Sequence, residues 1–391
     1  MLKLRAYKFR FYPTSDQRDV LARTFGCCRF VYNHFLERKQ KAFRKEKTFL
    51  SYGDCSELLS DLKDEHPFLR EVSSVALQQS LRHLEGAFQS FYKKKARFPN
   101  FKKRSHKQSA SFMRNAFTYE NANIILAKMK TPLNICYSRT FEGNPSSITI
   151  SKTVTEEYYI SFLVEEDIKP LPKVEKSVGV DLGITHAFVT SDGKKQLPSK
   201  ALEKALKKLK RRQRALLKKK KGSANRTKAR KKVAALSQKV KNKRLDAIHK
   251  MTTTLVYENQ VICVEDLSVK NMMKNRKLSQ KIGDAGWGMF TRCLEYKCDW
   301  YQRQFVQVGR FFPSSKQCHS CKTLRRNLSL KDRVWTCSEC NTLHDRDINA
   351  AKNIKEEGFR LMNQNTVGLT EVKAWGADVR PICSNLQGNL Q

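Results

Sequence analysis

The chain is short of acid. Its 391 residues carry 37 Asp and Glu against 77 Lys and Arg, a formal charge of +40. An excess of that size strains a compact state by self-repulsion, so a polyanion is expected as its regular partner, nucleic acid ahead of a membrane surface. The basic residues run through the whole sequence, which favours a long duplex lying across several domains. Also missing is any run of 18 or more apolar residues, so no helix is expected to span a bilayer. The opening Met1-Leu2-Lys3-Leu4-Arg5 alternates and lacks the apolar core of a secretory signal, so a cytosolic setting is expected. In that reducing compartment eight of the twelve Cys (Cys27, Cys28, Cys55, Cys136, Cys263, Cys293, Cys298 and Cys383) read as free thiols. With 40% apolar and 29% charged residues the chain is globular, long enough for two or three domains with real cores.

The other four Cys have metal spacing. Cys318-x2-Cys321, fifteen residues, then Cys337-x2-Cys340 supply four thiolates that can close a tetrahedron round zinc. All four positions are protein ligands, so the zinc is structural. His319 and His344 lie near but are not needed as ligands; outer-shell or surface roles suit them. Soon after comes His344-Asp345-Arg346-Asp347-Ile348-Asn349-Ala350-Ala351, a carboxylate at the start of a helix.

Two other carboxylates stand far upstream. Asp181 ends the apolar run Ser177-Val178-Gly179-Val180, flanked by Gly179 and Gly183, and Glu265 ends Val261-Ile262-Cys263-Val264. The three acids are 84 and 82 residues apart, so nothing local joins them. In an RNase H-like sheet, however, the first strand, the fourth strand and the C-terminal helix converge. Three carboxylates there would hold two Mg²⁺ ions about 3.5–4 Å apart, one activating water and the other stabilising the leaving 3′ oxygen. An all-oxygen ligand set suits Mg²⁺. Taken singly each acid reads as a surface residue; together, on so basic a chain, they read as a nuclease. Asp266 and Asp345 compete for the metal roles. Asp266 follows Glu265 on a strand, so only one of the two can face the ions. Asp345 would sit just outside the helix, where capping is the plain role.

The first 170 residues mix strand and helix. Leu2 to Tyr12 alternates, with Tyr7, Phe9 and Phe11 on one face. Helical patterns run from Gln17 to about Lys45, about Ser51 to Leu62 and about Ser73 to Tyr92. Residues 93–104 interleave Lys and Arg with Phe98 and Phe101, a composition suited to nucleic-acid contact through Arg97, Lys102 and Lys103. Residues 111–168 turn β-rich, and with the first strand could form a small barrel split by the helices. Residues 201–244 hold twenty Lys or Arg and one acid, Glu203. Leu202, Leu206, Leu209 and Leu216, then Val233, Leu236 and Val240, predict a helical hairpin with a narrow apolar seam and a basic exterior that carries Arg211, Arg212, Lys218 and Lys219.

These motifs resemble, in order and over nearly the whole length, the TnpB (OrfB) family, the RNA-guided RuvC-type nucleases of insertion-sequence transposons related to type V CRISPR effectors. The likeness rests on Phe9-Arg10-Phe11-Tyr12-Pro13, Gly26-Cys27-Cys28-Arg29-Phe30-Val31-Tyr32-Asn33, Leu77-Gln78-Gln79-Ser80-Leu81, Phe98-Pro99-Asn100-Phe101-Lys102, Gly179-Val180-Asp181-Leu182-Gly183, Val264-Glu265-Asp266-Leu267, Phe312-Pro313-Ser314-Ser315-Lys316, the four Cys, and Asp345-Arg346-Asp347-Ile348-Asn349-Ala350-Ala351. It departs from the family at Lys322 and Asn341, each following the second Cys of a pair, where glycine is common.

The resemblance implies an α+β multidomain chain. Residues 1–13 and 111–170 would form a wedge β-barrel, with 14–110 an inserted helical recognition lobe. Residues 174–313 and 344–361 would form the RuvC domain, with 201–248 its basic helical insertion, 314–343 a zinc ribbon and 362–391 a polar, disordered tail. It implies a guide RNA from the transposon end, one protein per RNA, double-stranded DNA as target, and cleavage of both strands by Asp181, Glu265 and Asp347 with two Mg²⁺. It implies that Tyr52, Ser74 and Gln78, with Thr118 and Tyr119, read a short transposon-adjacent motif, since Gln can pair bidentately with adenine in the major groove. It implies a prokaryotic cytoplasm, nucleoid-associated when on DNA. The alternative is an RNA-guided DNA-binding regulator or transposition accessory protein that does not cut; such relatives lose triad acids, and all three are present here. A phosphotyrosine transposase would need a paired-His motif and a downstream Tyr nucleophile, and the sequence has neither. A guide-independent junction resolvase would not need the long basic N-terminal half.

Overall fold

The computed structural model describes residues 2–325, 327–329 and 332–367. It divides into two compact units, residues 1–170 with 204–241 and residues 171–203 with 242–391.

The first unit contains β1 (Leu2–Phe11), α1 (Ser15–Glu46), α2 (Tyr52–Glu65), α3 (Ser74–Tyr92), β2 (Gln108–Met113), β3 (Phe117–Glu120), β4 (Asn123–Leu126), β5 (Ile135–Cys136), β6 (Ser147–Lys152) and β7 (Tyr158–Asp167). Pro13 ends β1, and Thr14 opens α1 with a capping box: its hydroxyl accepts from the Gln17 N–H while its own N–H donates to the Gln17 side chain. β1 pairs antiparallel with β7 along its whole length. The alternation of β1 buries Tyr7, Phe9 and Phe11 with Phe112, Ile150 and Phe162 under Leu21, Val31 and Phe35 of α1 and Leu77, Leu81 and Leu84 of α3. The sheet runs β2-β6-β7-β1-β5, and β3 pairs with β4 alone. The expected barrel is therefore not closed among the described residues. The segment that would have to bridge its edges, residues 127–146, contributes only the two residues of β5.

The second unit holds β8 (Ser177–Asp181), β9 (Phe188–Thr190) and β10 (Lys195–Gln196). Next come α4 (Lys200–Leu217) and α5 (Ala224–Glu258), whose residues 204–241 belong to the first unit. Helix α5 runs ten residues beyond the expected end at 248. The expected seam residues Leu202, Leu206, Leu209, Leu216, Val233 and Leu236 are half-buried and Val240 is buried. After them come β11 (Val261–Glu265), α6 (Val269–Met272), α7 (Ser279–Ala285), α8 (Trp287–Tyr301), β12 (Gln304–Val308), β13 (Val334–Thr336), β14 (Leu343–Asp345) and α9 (Arg346–Val367). Residues 362–367 of the expected tail thus continue the last helix, and 368–391 lie outside the described residues.

The sheet of this unit runs β10-β9-β8-β11-β12. β8, β11 and β12 are parallel, while β9 is antiparallel to both of its neighbours. Alternation sorts its residues onto two faces. Val178, Val180, Ile262 and Val264 join Leu255, Trp287, Phe290 and Leu294 in one core. Val261 and Cys263 face the other way, packed with Ile354 of α9. On that second face helix and sheet meet backbone to backbone. A Cβ placed on Gly179 would lie 2.0 Å from the Ala351 carbonyl oxygen and 2.7 Å from the Lys355 nitrogen. One placed on Gly358 of α9 would lie 2.3 Å from the Cys263 sulfur. Asp181 shares the Gly179 face and Glu265 shares the Cys263 face, so both carboxylates leave the sheet on the side that α9 covers. Asp347 stands in the first turn of that helix.

Candidate functional site

Asp181 and Glu265 end adjacent parallel strands whose register pairs Val180 with Val264. Their carboxyl groups share a hydrogen bond. Burial raises the affinity of Asp181 for a proton well above the usual carboxylate range, and the charges of Glu265 and Asp347 raise it further. Burial raises Glu265 as well, opposed by the Asp181 hydrogen bond and by the Leu182 N–H. The pair therefore holds a proton that two separate carboxylates would release. Crowded like charges of this kind suit positive counter-ions. The three acids are nevertheless looser than the cysteines. Among the described residues only Cys318, Cys321, Cys337 and Cys340 place three or more ligand atoms all within 4.8 Å of one another.

The competing acids have other partners. Asp345 caps α9, its Oδ1 accepting from the N–H groups of Asp347 and Ile348 at 3.1 Å, while its Oδ2 pairs with Lys195 at 2.6 Å. Asp266 is held by Arg310 at 2.5 Å. Two residues beside Asp347 had no signal in the sequence. Arg333 donates to its Oδ1 at 3.4 Å, and His186 Nδ1 lies 4.0 Å from its Oδ2.

The four sulfurs lie at the mouths of two turns built alike. Cys318 N–H donates to the Thr323 carbonyl and Cys337 N–H to that of Thr342. Lys322 N–H returns to the Cys318 carbonyl and Asn341 N–H to that of Cys337. Lys322 and Asn341 both adopt positive φ, 66° and 52°. These are the positions where glycine is common, and the non-glycine residues take the left-handed conformation regardless. Cys318 and Cys340 sulfurs are 3.6 Å apart and those of Cys321 and Cys337 are 3.5 Å apart. Tetrahedral bonds of about 2.3 Å would set them about 3.8 Å apart, so a single ion fits with little movement. His344 is buried and its Nε2 lies 3.0 Å from the Cys318 sulfur, beside the ligand set rather than in it.

The ribbon is fastened to α9 by two buried amides one turn apart. Asn349 donates to the Gln317 carbonyl at 2.7 Å and accepts from the His319 N–H at 2.9 Å. Asn353 donates to the Ser314 and Gln317 carbonyls at 2.8 and 2.7 Å. Helix α9 therefore carries the third acid and also braces the cysteine turns.

In the first unit Ser74 and Gln78 are exposed on α3. Tyr52 opens α2, half-buried, with the Arg82 guanidinium 4.6 Å over its ring. Thr118 is exposed, whereas the Tyr119 ring packs with Phe141 and Phe162. Arg97, Lys103, Arg211, Arg212, Lys218 and Lys219 are exposed. Lys102 differs: the residue is exposed as a whole, but its ammonium rests 3.8 Å from the Tyr32 ring centroid, and burial there lowers its proton affinity. Phe98 packs edge-on against Phe88 and Phe91, so part of the aromatic interleaving serves the fold.

Comparison with known proteins places the chain. Residues 160–276 match the sequence profile of OrfB_IS605, described as "Probable transposase", and residues 287–354 match the Cas12f1-like TNB domain. Residues 1–48 match a helix-turn-helix profile of the first of these families, although here they form one strand and one continuous helix of 32 residues. A Streptomyces pristinaespiralis protein is 45% identical over 91% of this chain and 89% of its own length. InsQ of Escherichia coli K12 is 31% identical over 93% and 94%. Both are provisionally named RNA-guided DNA endonucleases. A Cas12f1 chain solved with guide RNA and target DNA superposes with a TM-score of 0.57 over 90% of this chain and 99% of that one, at 14% identity, a likeness of fold. The fold is thus like that of Cas12f1. The chain itself belongs to the TnpB (OrfB) family.

Proposed function

We propose that this protein is an RNA-guided DNA endonuclease of an insertion-sequence transposon. It carries a transposon-derived guide RNA, reads a short adjacent motif in double-stranded DNA and hydrolyses both strands, with base pairing supplying the sequence recognition. One observation supports the hydrolytic reading: Asp181 and Glu265 share a hydrogen bond at adjacent strand ends, and Asp347, from a third distant segment, lies near enough for its charge to act on Asp181. The strand order, with β9 reversed beside three parallel strands, supports an RNase H-like (RuvC) domain. The full-length relatives and the +40 charge support nucleic-acid partners.

Asp181, Glu265 and Asp347 would hold the divalent cations. Their donor set, oxygen alone and rich in negative charge, fits Mg²⁺. When bound, the ions activate water and stabilise the leaving oxygen. The chain's own residues do the rest. Asp345 and Lys195 fix the start of α9, and Asp181 and Glu265 would give up their shared proton to hold the cations. Cys318, Cys321, Cys337 and Cys340 would hold one structural zinc. We assign the exposed cations Arg97, Lys103, Arg211, Arg212, Lys218 and Lys219 to nucleic-acid backbone. We assign the face of Tyr52, Ser74 and Gln78 to motif reading, with Thr118. The deciding experiment is to purify the protein from its native locus, sequence the RNA that accompanies it, and offer the complex a plasmid complementary to that guide. The wild type should linearise the plasmid with Mg²⁺. Asp181→Ala should keep the RNA and lose linearisation; cutting by that variant would overturn the assignment.

A further inference from the structure

His186 lies in the turn between β8 and β9, five residues after Asp181. The turn is tightly fixed. A Cβ on Gly183 would lie 2.9 Å from the His186 carbonyl oxygen, and the next residue, Ala187, donates its N–H to the Gln196 carbonyl at 2.7 Å. The imidazole is thereby set against the start of α9, its side chain 22% exposed. Its Nδ1 is buried without a hydrogen-bond partner among the described residues, and Asp347 Oδ2 is 4.0 Å away. Buried ring nitrogens are normally satisfied, so one left open beside a carboxylate points to a partner that arrives with a change at that carboxylate. The gap to a hydrogen bond of about 2.9 Å is roughly 1 Å, within reach of a carboxylate rotation. On the other oxygen Arg333 stands at 3.4 Å, so the two sides of Asp347 are addressed by different elements.

We infer that His186 is a positioning residue: its Nδ1–H donates to Oδ2 of Asp347 and holds that carboxylate in one rotation as it receives a divalent cation. This rests on the reading of Asp347 as a metal ligand. Outer-shell donors of this kind typically change metal affinity 10–100-fold.

The test uses the RNA-loaded protein with Fe²⁺ in place of Mg²⁺. With ascorbate and peroxide, bound Fe²⁺ cuts the backbone beside it, and fragments ending near residues 181, 265 and 347 report occupancy without any DNA cleavage. In His186→Ala the Fe²⁺ needed for half-maximal fragmentation should rise about 10–100-fold. His186→Phe, which keeps the bulk and loses the donor, should match it. His186→Asn, whose amide can reach the place of Nδ1, should recover most of the affinity. Unchanged titration in the Ala and Phe variants, or failure of Asn to outperform Phe, overturns the role of His186. Asp181→Asn separates the two readings: if its fragments persist at wild-type Fe²⁺, the metal site itself is misplaced and the inference falls with it.

Discussion

Gly179→Ala is the sharpest perturbation the fold offers. Gly179 has an ordinary strand backbone, so alanine there is conformationally free and the cost is steric alone. The added carbon would sit 2.0 Å from the Ala351 carbonyl oxygen, and real Cβ contacts essentially never fall below 3.0 Å. Helix and strand must therefore part by about 1 Å at the least. The obstacle is helix backbone, so no side chain can swing aside. Overpacking of this kind costs about 1–3 kcal/mol, and at about 2 kcal/mol the melting temperature of a unit this size should fall by roughly 4–8 °C. The same displacement moves Asp347 against Asp181, and a misplacement of about 1 Å can cost on the order of 10²-fold in rate. Guide-RNA binding, which draws on exposed cations elsewhere, should stay within about twofold. Calorimetry, filter binding and single-turnover plasmid cleavage read the three quantities. Gly86→Ala in the middle of α3, where nothing lies within 4 Å, is the internal comparison and should stabilise by about 0.5–1 kcal/mol. If Gly179→Ala melts within 1 °C of wild type and cuts within about twofold, α9 does not lie on β8 as described.

Asp181→Asn should abolish cleavage yet stabilise the metal-free protein near neutral pH, because the amide neither adds charge to the crowded acids nor needs a proton taken up there. The folded chain keeps a proton on the Asp181–Glu265 pair that the unfolded chain releases in the ordinary carboxylate range, so wild-type stability should fall as pH rises above that range, and the variant's curve, read by urea melts, should be flatter. Cys337→Ser should bring zinc content, measured by atomic absorption, from one per chain towards none and lower the melting temperature, with a smaller effect on RNA affinity; unchanged zinc would refute the ribbon. Asn349→Ala leaves the Gln317 carbonyl with Asn353 as its donor but strands the His319 N–H, so it should destabilise by about 1–3 kcal/mol in urea melts while zinc content is kept.

The sequence exposed the parts whose residues speak locally. Two Cys pairs have one economical use, and the alternation of β1 and the periodicity of α1 and α3 are strong enough to place their buried faces. The acids were legible in a different way: each ended an apolar run or began a helix, and only a known sheet topology could bring them together. What stayed hidden depends on tertiary approach. Gly179 stood out as a neighbour of Asp181, but that it admits a helix backbone follows only from where α9 lies. Asn349 and Asn353 read as ordinary polar residues of a helix, and their carbonyl partners come from an irregular segment with no period. The barrel expectation failed because short β-rich runs fix neither register nor closure. Lys102, offered as a phosphate contact, has its ammonium over the ring of Tyr32 in α1, a contact that no local pattern connects to it.

A four-sulfur metal turn has no chemistry to offer a phosphodiester, since its coordination shell is full. Its value here is mechanical. On the proposed reading the first turn of α9 presents Asp347 towards two strand ends, and the helix N-terminus is the part of any helix most prone to fray, with four N–H groups lacking partners inside the helix. Two of those groups are taken by Asp345, itself fixed by Lys195. The next turns are gripped from one side by the sheet at Gly179 and from the other by Gln317 and Ser314, the residues leading into Cys318. Metal at the four sulfurs would freeze that second grip, because the chain entering the turn could no longer move independently of the chain leaving it. A binder of polyanions would have little use for such bracing at this one turn. A site that must align three carboxylates against mutual repulsion has every use for it, and that is where the bracing lies.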